Sequence, residues 1–342
     1  MHLGIEIGGT KLQLGVGDGV SGKLAALERC DVDSRRGAAG ILEQIERVGA
    51  DLLRRYPIER IGYGFGGPID GATGVVHKSH QVAGWDHFPL GAWTRETFQR
   101  PVALGNDCDA AALAEAKWGA GSGKGSLFYV TVGTGIGGGF VVNGKLHGVG
   151  RPAVAEIGHL RPGLHADQPD ATVESLAAGP GIAAAAQARL SGIVDGSLEM
   201  LQAQKGSGQA IDLRSLLSHA REAEREYLAD LWDRCGGDLD ALTGKHVAQA
   251  AAEGNEVARD VLRHSVQALG WAIAQAITLL APEVVAVGGG VSLIGESFFF
   301  NPLREEVARY VFPPLATSFE ISPAQLGEEV VVHGALAFAA EG

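Results

Sequence analysis

Cysteine is scarce in this chain: Cys30, Cys108 and Cys235 are three in number and far apart. They form neither a disulfide framework nor a Cys-x-x-Cys metal pair, which excludes a small disulfide-stapled secreted fold and points to a reducing compartment. Positive charge is also short, since 28 Lys and Arg against 40 Asp and Glu leave a net charge of −12. A nucleic-acid-binding face is normally basic, so no nucleic-acid partner is expected, and the negative balance mainly favours solubility. Long hydrophobic runs are missing as well. The longest apolar segment, Leu269–Ala281, contains Gln275 and is short for a bilayer span, so it reads as a buried helix stopped by Pro282. Glu6 interrupts the first apolar run and no basic segment precedes it, so no signal peptide is legible. A cytoplasmic protein without membrane partners is the expectation.

Glycine, by contrast, is abundant, at 51 of 342 residues, about twice its ordinary share of roughly 7%. The glycines cluster at strand ends, as a turn-rich α/β fold requires. Gly8-Gly9-Thr10-Lys11 sits in a hairpin between the apolar stretches Leu3–Ile7 and Leu12–Val16. Gly133-Thr134-Gly135 repeats the arrangement between Leu127–Val132 and Phe140–Val142. Glycine lets bare backbone N–H groups approach phosphate oxygens closely. Two such loops facing each other across a cleft are what phosphoryl transfer needs, because its catalysis is mostly positioning and charge neutralisation. Isolated glycines such as Gly15 and Gly17 read as plain turns.

The length suggests about two domains. Three strands open the chain, over Leu3–Ile7, Lys11–Val16 and Lys23–Val32. A helix carrying Leu42, Ile45, Val48 and Leu52 follows and ends at Pro57. The strand Ile61–Phe65 runs into Gly66-Gly67-Pro68, Leu90–Phe98 is a short helix, and the strand Val102–Leu104 meets Asn106-Asp107 before an alanine-rich helix. This β-β-β-α-β-α-β-α order fits a mixed sheet with helices on both faces. Gly119–Gly125 marks a hinge or boundary, and the second unit restarts with a hairpin turning at Asn143-Gly144. Most of the remainder reads as helix, with an Asp212 cap after Gly206–Gly208, an end at Gly236-Gly237, the strand Val284–Val287 and a last helix over Gly334–Ala340.

Six motifs occur in order: EIGGTK at Glu6–Lys11, GFGGPID at Gly64–Asp70, LGNDCDAAA at Leu104–Ala112, TVGTGIGGG at Thr131–Gly139, AEIGH at Ala155–His159 and VGGGV at Val287–Val291. Together they resemble the ROK family of sugar kinases and sugar-responsive repressors, within the actin-like ATPase superfamily. The resemblance implies an α/β fold of two ribonuclease-H-like domains flanking a cleft. Residues 1–118, completed by a C-terminal helix over 320–342, would form one domain; residues 119–319, with a helical insertion near 205–245, would form the other. The resemblance makes Asp107 the general base, because a sugar hydroxyl is a poor nucleophile until a carboxylate takes its proton. Gly67, Asn106, Glu156, His159 and Glu174 would bind the sugar. Glu156 and His159, three residues apart, would project from one face if that turn is helical. Gly8, Gly9, Thr10 and Lys11 would clamp the donor phosphates on one side and Gly133, Thr134 and Gly135 on the other, while Gly288, Gly289 and Gly290 would admit adenosine. ATP and Mg²⁺ are the implied cofactors, and a homodimer the implied assembly.

Two departures from the family pattern stand out. Leu160–Val173 holds no cysteine, so the thiolate zinc site that many members carry there is not expected, and His159 is either oriented by a protein hydrogen bond instead or less well ordered. Glu6 replaces the usual aspartate near the metal; one methylene longer, it would either hold Mg²⁺ through a bound water or crowd the site. The leading expectation is an ATP-dependent kinase of a hexose or N-acetylhexosamine, glucokinase-like, with polyphosphate as the alternative donor. A catalytically silent sugar-binding protein is the other open reading. A repressor is not expected, because the stretch ahead of Gly8 leaves no room for a helix-turn-helix. An NAD-dependent oxidoreductase fails because a strand, not a helix, follows the first glycines.

Overall fold

The computed structural model of the chain describes residues 1–342 except 80, 149–150, 152, 164–167 and 195–223. Twelve strands are present among the described residues. The first seven are β1 (His2–Ile7), β2 (Lys11–Gly17), β3 (Leu24–Asp31), β4 (Arg60–Phe65), β5 (Ile69–Asp70), β6 (Val75–Val76) and β7 (Val102–Asn106). The rest are β8 (Ser126–Val132), β9 (Ile136–Val142), β10 (Lys145–Leu146), β11 (Val284–Gly288) and β12 (Glu320–Pro323). They build two five-stranded sheets, ordered β3-β2-β1-β4-β7 and β10-β9-β8-β11-β12, and a small β5–β6 ribbon.

The two sheets repeat one plan. In each, an antiparallel hairpin (β1–β2, β8–β9) is followed by two parallel strands, and its third strand pairs antiparallel at the hairpin's outer edge. The hairpin pairing closes at Ile7↔Leu12 in one sheet and Val132↔Ile136 in the other. Each glycine-threonine loop therefore sits at the same topological position of its own sheet.

Each sheet has its own apolar core. Leu3, Ile5, Leu12, Leu14, Ile45, Leu52 and Tyr63 fill the first, against the helix Gly37–Arg55. Val130, Phe128, Ile273, Ile277 and Val285 fill the second, against the helix Glu256–Leu280, which Asn255 caps and which ends where Ala281 turns left-handed before Pro282. A further helical layer packs Ile182, Leu190, Leu228, Leu231 and Val247 together. Of the segment expected at 205–245, residues up to 223, with Gly206–Gly208 and the Asp212 cap, lie outside the described residues. Its remainder contains the helix Arg225–Arg234, which stops before Gly236 and Gly237, both at positive φ.

Two helices, Asp107–Trp118 and Val330–Glu341, lie between the sheets and share an apolar cluster that includes Ala110, Ala114, Tyr129, Ala286 and Val331. Glycine makes this layer thin. A Cβ on Gly62 would meet the Ala335 carbonyl at 1.8 Å, and one on Gly334 would meet the Ala110 carbonyl at 1.9 Å. Gly15 and Gly17 belong to the same bed, under Val332 and Leu336. They are strand residues and not the plain turns expected, because a helix rests on them. On the other flank, Gly137 and Gly139 of β9 leave room for Cys108. A second correction concerns the last segment: its helix begins at Val330, whereas Glu320–Pro323 is edge strand β12, paired parallel to β11.

Candidate functional site

The site lies where these strands end. Phe65↔Asn106 is the last pair of β4 with β7, so Gly66-Gly67 and Asn106-Asp107 emerge side by side, at the strand ends where open α/β sheets bind ligands. Asn106 caps the following helix: its Oδ1 accepts the Cys108 N–H at 2.7 Å while its Nδ2 donates to the Gly67 carbonyl at 3.2 Å. Asp107 shares that Cys108 N–H through Oδ1 at 2.9 Å. Its Oδ2 lies against Gly66, 3.5 Å from where a Cβ on that glycine would stand, and the same point is 3.7 Å from the Gly8 Cα of the first loop. The cap is thus chiefly the work of Asn106, and Asp107 is set beside the first glycine loop. Burial pushes its carboxyl up to about 6, and the nearby Glu156 adds to the rise.

The first loop closes through the Gly8 N–H on the Lys11 carbonyl at 3.0 Å. Behind it, Glu6 is buried, and its Oε2 accepts from Gln13 Nε2 at 2.8 Å while Oε1 faces Lys11 Nζ at 3.5 Å. Burial raises the Glu6 carboxyl to about 7, against the opposing pull of Lys11. Lys11 also donates to the Glu328 carbonyl at 3.3 Å. Its amine is therefore engaged on Glu6 and on the approach to the last helix. The Gln81 side chain fills the space a Cβ on Gly9 would take. No motif marked Gln81; it arrives with a segment pinned by Trp85, whose ring stacks edge-on at 5.1 Å from Phe65 and 5.3 Å from Phe88.

The second loop, Gly133–Gly135, closes through the Gly133 N–H on the Gly135 carbonyl at 2.9 Å. Gly179, opening the helix Gly179–Val194, donates to the Gly133 carbonyl at 2.8 Å, and Val291 donates to Val132 at 2.9 Å. The Gly288–Gly290 stretch thereby lies against this loop. Gly289 is required there, with φ of 88° and only 2.5 Å between a would-be Cβ and the Val132 carbonyl.

Ile157–His159 is a single 3₁₀ turn with Glu156 as its N-cap, and Glu156 and His159 are near enough to interact electrostatically. Gly158 presses the turn onto β9, where a Cβ would meet the Ile136 carbonyl at 2.1 Å. Partial burial raises the Glu156 carboxyl, and His159 opposes that rise. The hydrogen bond expected to orient the His159 ring is not formed among the described residues: the ring stands exposed, with Glu156 as its charged neighbour. Glu174 has a role the sequence did not suggest. It lies on the short helix Val173–Ala177, and its Oε2 accepts the Ile136 N–H at 2.7 Å, bracing the base of the second loop. Asp109 was also missed: burial raises its carboxyl to about 7, helped by Asp107 and Glu156. The site thus gathers mutually repelling carboxylates next to two glycine loops. Such a site can take a proton from a hydroxyl and can hold phosphates through main-chain N–H groups.

The family model described as the ROK family matches residues 2–341. The chain belongs to the ROK family. This ROK protein is 28% identical, over 334 residues, to the glucokinase of Thermotoga maritima, a match covering 97% of this chain and 95% of that one. A ROK family glucokinase from Streptomyces griseus, solved in complex with glucose and AMPPNP, is similar with a TM-score of 0.76 at 27% identity, over 100% of this chain and 99% of that one. A ROK hexokinase from Thermus thermophilus is similar with a TM-score of 0.72 at 26% identity, over 99% and 97% of the two chains. The duplicated sheets are the two domains of the actin-like ATPase fold that the motifs implied. No described helix is long and apolar enough to cross a membrane.

Proposed function

We propose that this ROK protein is an ATP-dependent sugar kinase of the glucokinase type, with Asp107 as general base. One observation carries the reading: the Asp107 carboxylate, raised to about 6, lies beside the Gly8 loop and within the field of Glu156. A group with that pKa is ionised at neutral pH yet basic enough to take the proton of a sugar hydroxyl as the phosphoryl group transfers. Asn106 ties the start of the Asp107 helix to the Gly67 carbonyl, which supports an acceptor hydroxyl bound between Gly67 and Asp107. Glu156 and His159, with Glu174 and Gly67, would bind the remaining hydroxyls; a carboxylate and an imidazole together accept from and donate to vicinal OH groups.

The backbone of Gly8, Gly9, Thr10 and Lys11 would grip the donor phosphates from one lobe, and that of Gly133, Thr134 and Gly135 from the other. Gly288, Gly289 and Gly290, packed on the second loop, would admit the adenosine. For a magnesium ion the fit is through Glu6: no group of three or more ligating side chains is present among the described residues, whereas Mg²⁺ bound to phosphates keeps several waters and touches only one or two carboxylates. The Oε1 of Glu6, at 3.5 Å from Lys11, is its less committed oxygen. When bound, the ion would neutralise charge on the donor phosphates. Residues 1–118 with the last helix form one lobe of this scheme and residues 119–323 the other. Sugar binding would close them and exclude water, which limits wasteful hydrolysis.

The same Glu6 contacts favour one competing reading, a sugar-binding protein without turnover, because Gln13 and Lys11 occupy the carboxylate. A coupled assay of phosphoryl transfer separates the two, run on glucose, mannose, fructose, N-acetylglucosamine and N-acetylmannosamine with ATP or polyphosphate. Saturable turnover of a hexose with ATP is expected. Binding of a sugar with no transfer from either donor would establish the silent reading.

A further inference from the structure

Among the described residues, two stretches of chain cross between the sheets. Gly119–Gly125 leads from the helix Asp107–Trp118 into β8, and residues 324–329 lead from β12 back to the helix Val330–Glu341. One side chain holds both. Glu115, near the end of the helix Asp107–Trp118, has no exposed surface. Its Oε2 accepts the Ala120 N–H at 2.8 Å in the outgoing link, and its Oε1 accepts the Gln325 and Leu326 N–H groups, each at 2.8 Å, in the returning link. Its own carbonyl accepts the Gly119 and Gly121 N–H groups at 3.1 and 3.0 Å. Gly119 is shaped around it, since a Cβ there would lie 2.1 Å from Oε2.

A carboxylate fully removed from water is costly unless its oxygens are hydrogen-bonded. Here three main-chain donors supply the bonds, so the carboxyl group is held by the links and holds them in turn. Glu115 bonds to none of the residues assigned to sugar, phosphate or nucleotide. It shares one rigid helix with Asp107, eight residues and therefore about 12 Å along the axis. The base stands at one end of that helix and the junction of both links at the other.

We propose that Glu115 is the hinge pin of this kinase. One carboxylate ties the two links, so they bend together, and closure carries the second lobe's loop and the Glu156–His159 turn onto Asp107 in a single register. Glu115 is a positioning residue that touches no substrate. The proposal rests on the reading of lobes that close on sugar.

Glu115→Gln keeps the shape but turns one oxygen into an NH₂ that must face an N–H donor, releasing one link. Gly119→Ala, whose Cβ would stand 2.1 Å from Oε2, keeps the carboxylate but pushes it off the Ala120 N–H. For each variant and the wild type, kcat, the KM for sugar, the thermal midpoint and the sugar-induced change in radius of gyration by small-angle scattering would be measured. Wild type should contract on adding sugar. Glu115→Gln should contract less and lose about tenfold in kcat with sugar KM moving less than about threefold, and Gly119→Ala should show the same pattern more weakly. If Glu115→Gln does not fold, Gly119→Ala decides. Wild-type kcat and full contraction in a folded variant, with only the thermal midpoint lowered, would overturn the hinge role and leave Glu115 a structural brace. A wild type that binds sugar without contracting would overturn closure itself, and the hinge with it.

Discussion

Asp107 is the residue on which the chemistry turns, and its environment sets a pH signature. An aspartate ordinarily ionises near 3.8, and burial moves this one to about 6. A general base must be unprotonated to accept, so kcat/KM should be flat above about pH 7 and fall on acidification through about 6. Because Asp107 shares repulsion with Glu6, Asp109 and Glu156, and Asp109 also with Glu156, the measured limb belongs to the group as a set. A pH–rate profile that stays flat down to pH 4.5 would remove Asp107 from the role. Asp107 was legible in the sequence because a strand running into Asn-Asp and then a helix places it at a strand end. Glu174 was legible only in part. Its bond to the Ile136 N–H joins residues far apart in the chain, and no local pattern announces it. That bond predicts that Glu174→Ala raises the KM for nucleotide as well as for sugar, by several-fold each, whereas His159→Ala raises only the sugar KM. Steady-state kinetics with either substrate varied would tell them apart.

The glycine loops and the last helix make opposite demands on glycine, and substitution separates them. A Cβ on Gly133 meets nothing within 4 Å; Gly133→Ala should therefore fold with a wild-type melting temperature yet raise the nucleotide KM, because the methyl stands where phosphate would approach. Gly334→Ala faces the Ala110 carbonyl at 1.9 Å. Helix propensity favours alanine by about 1 kcal/mol, but forcing two helix backbones apart costs more, about 2–3 kcal/mol. Thermal melting should show that loss, with substrate affinities little changed in the folded fraction. The reverse pattern, a destabilised Gly133→Ala and a neutral Gly334→Ala, would mean the layers are misassigned. The hairpins, the helix Gly37–Arg55 and the helix ending at Pro282 were readable because each carries a full hydrophobic period and a clear stop. The β5–β6 ribbon and β10 were not, being two residues per strand. β12 escaped because its sequence, EISP, is short and ends in proline. The glycine bed beneath the last helix was invisible for another reason: what makes Gly15 and Gly17 necessary is a helix more than three hundred residues later.

For the chain as a unit, the repeated glycine-threonine hairpin foretold a duplicated sheet, and the two strand orders match position for position. The six ordered motifs foretold the ROK family, whose model spans residues 2–341. How the lobes are joined was not foretold, because Glu115 reads in sequence as an ordinary helical glutamate while its partners lie at 120 and at 325–326. The account as a whole requires both lobes to present one acceptor hydroxyl to one ionised carboxylate. The most direct measurement is therefore Asp107→Asn, with sugar affinity taken by calorimetry and turnover by the coupled assay on the same preparation. The account predicts a sugar Kd within about threefold of wild type and a kcat reduced by about a thousandfold, within the range expected for loss of a positioned base. A variant that binds sugar and turns it over at a rate close to wild type would contradict it.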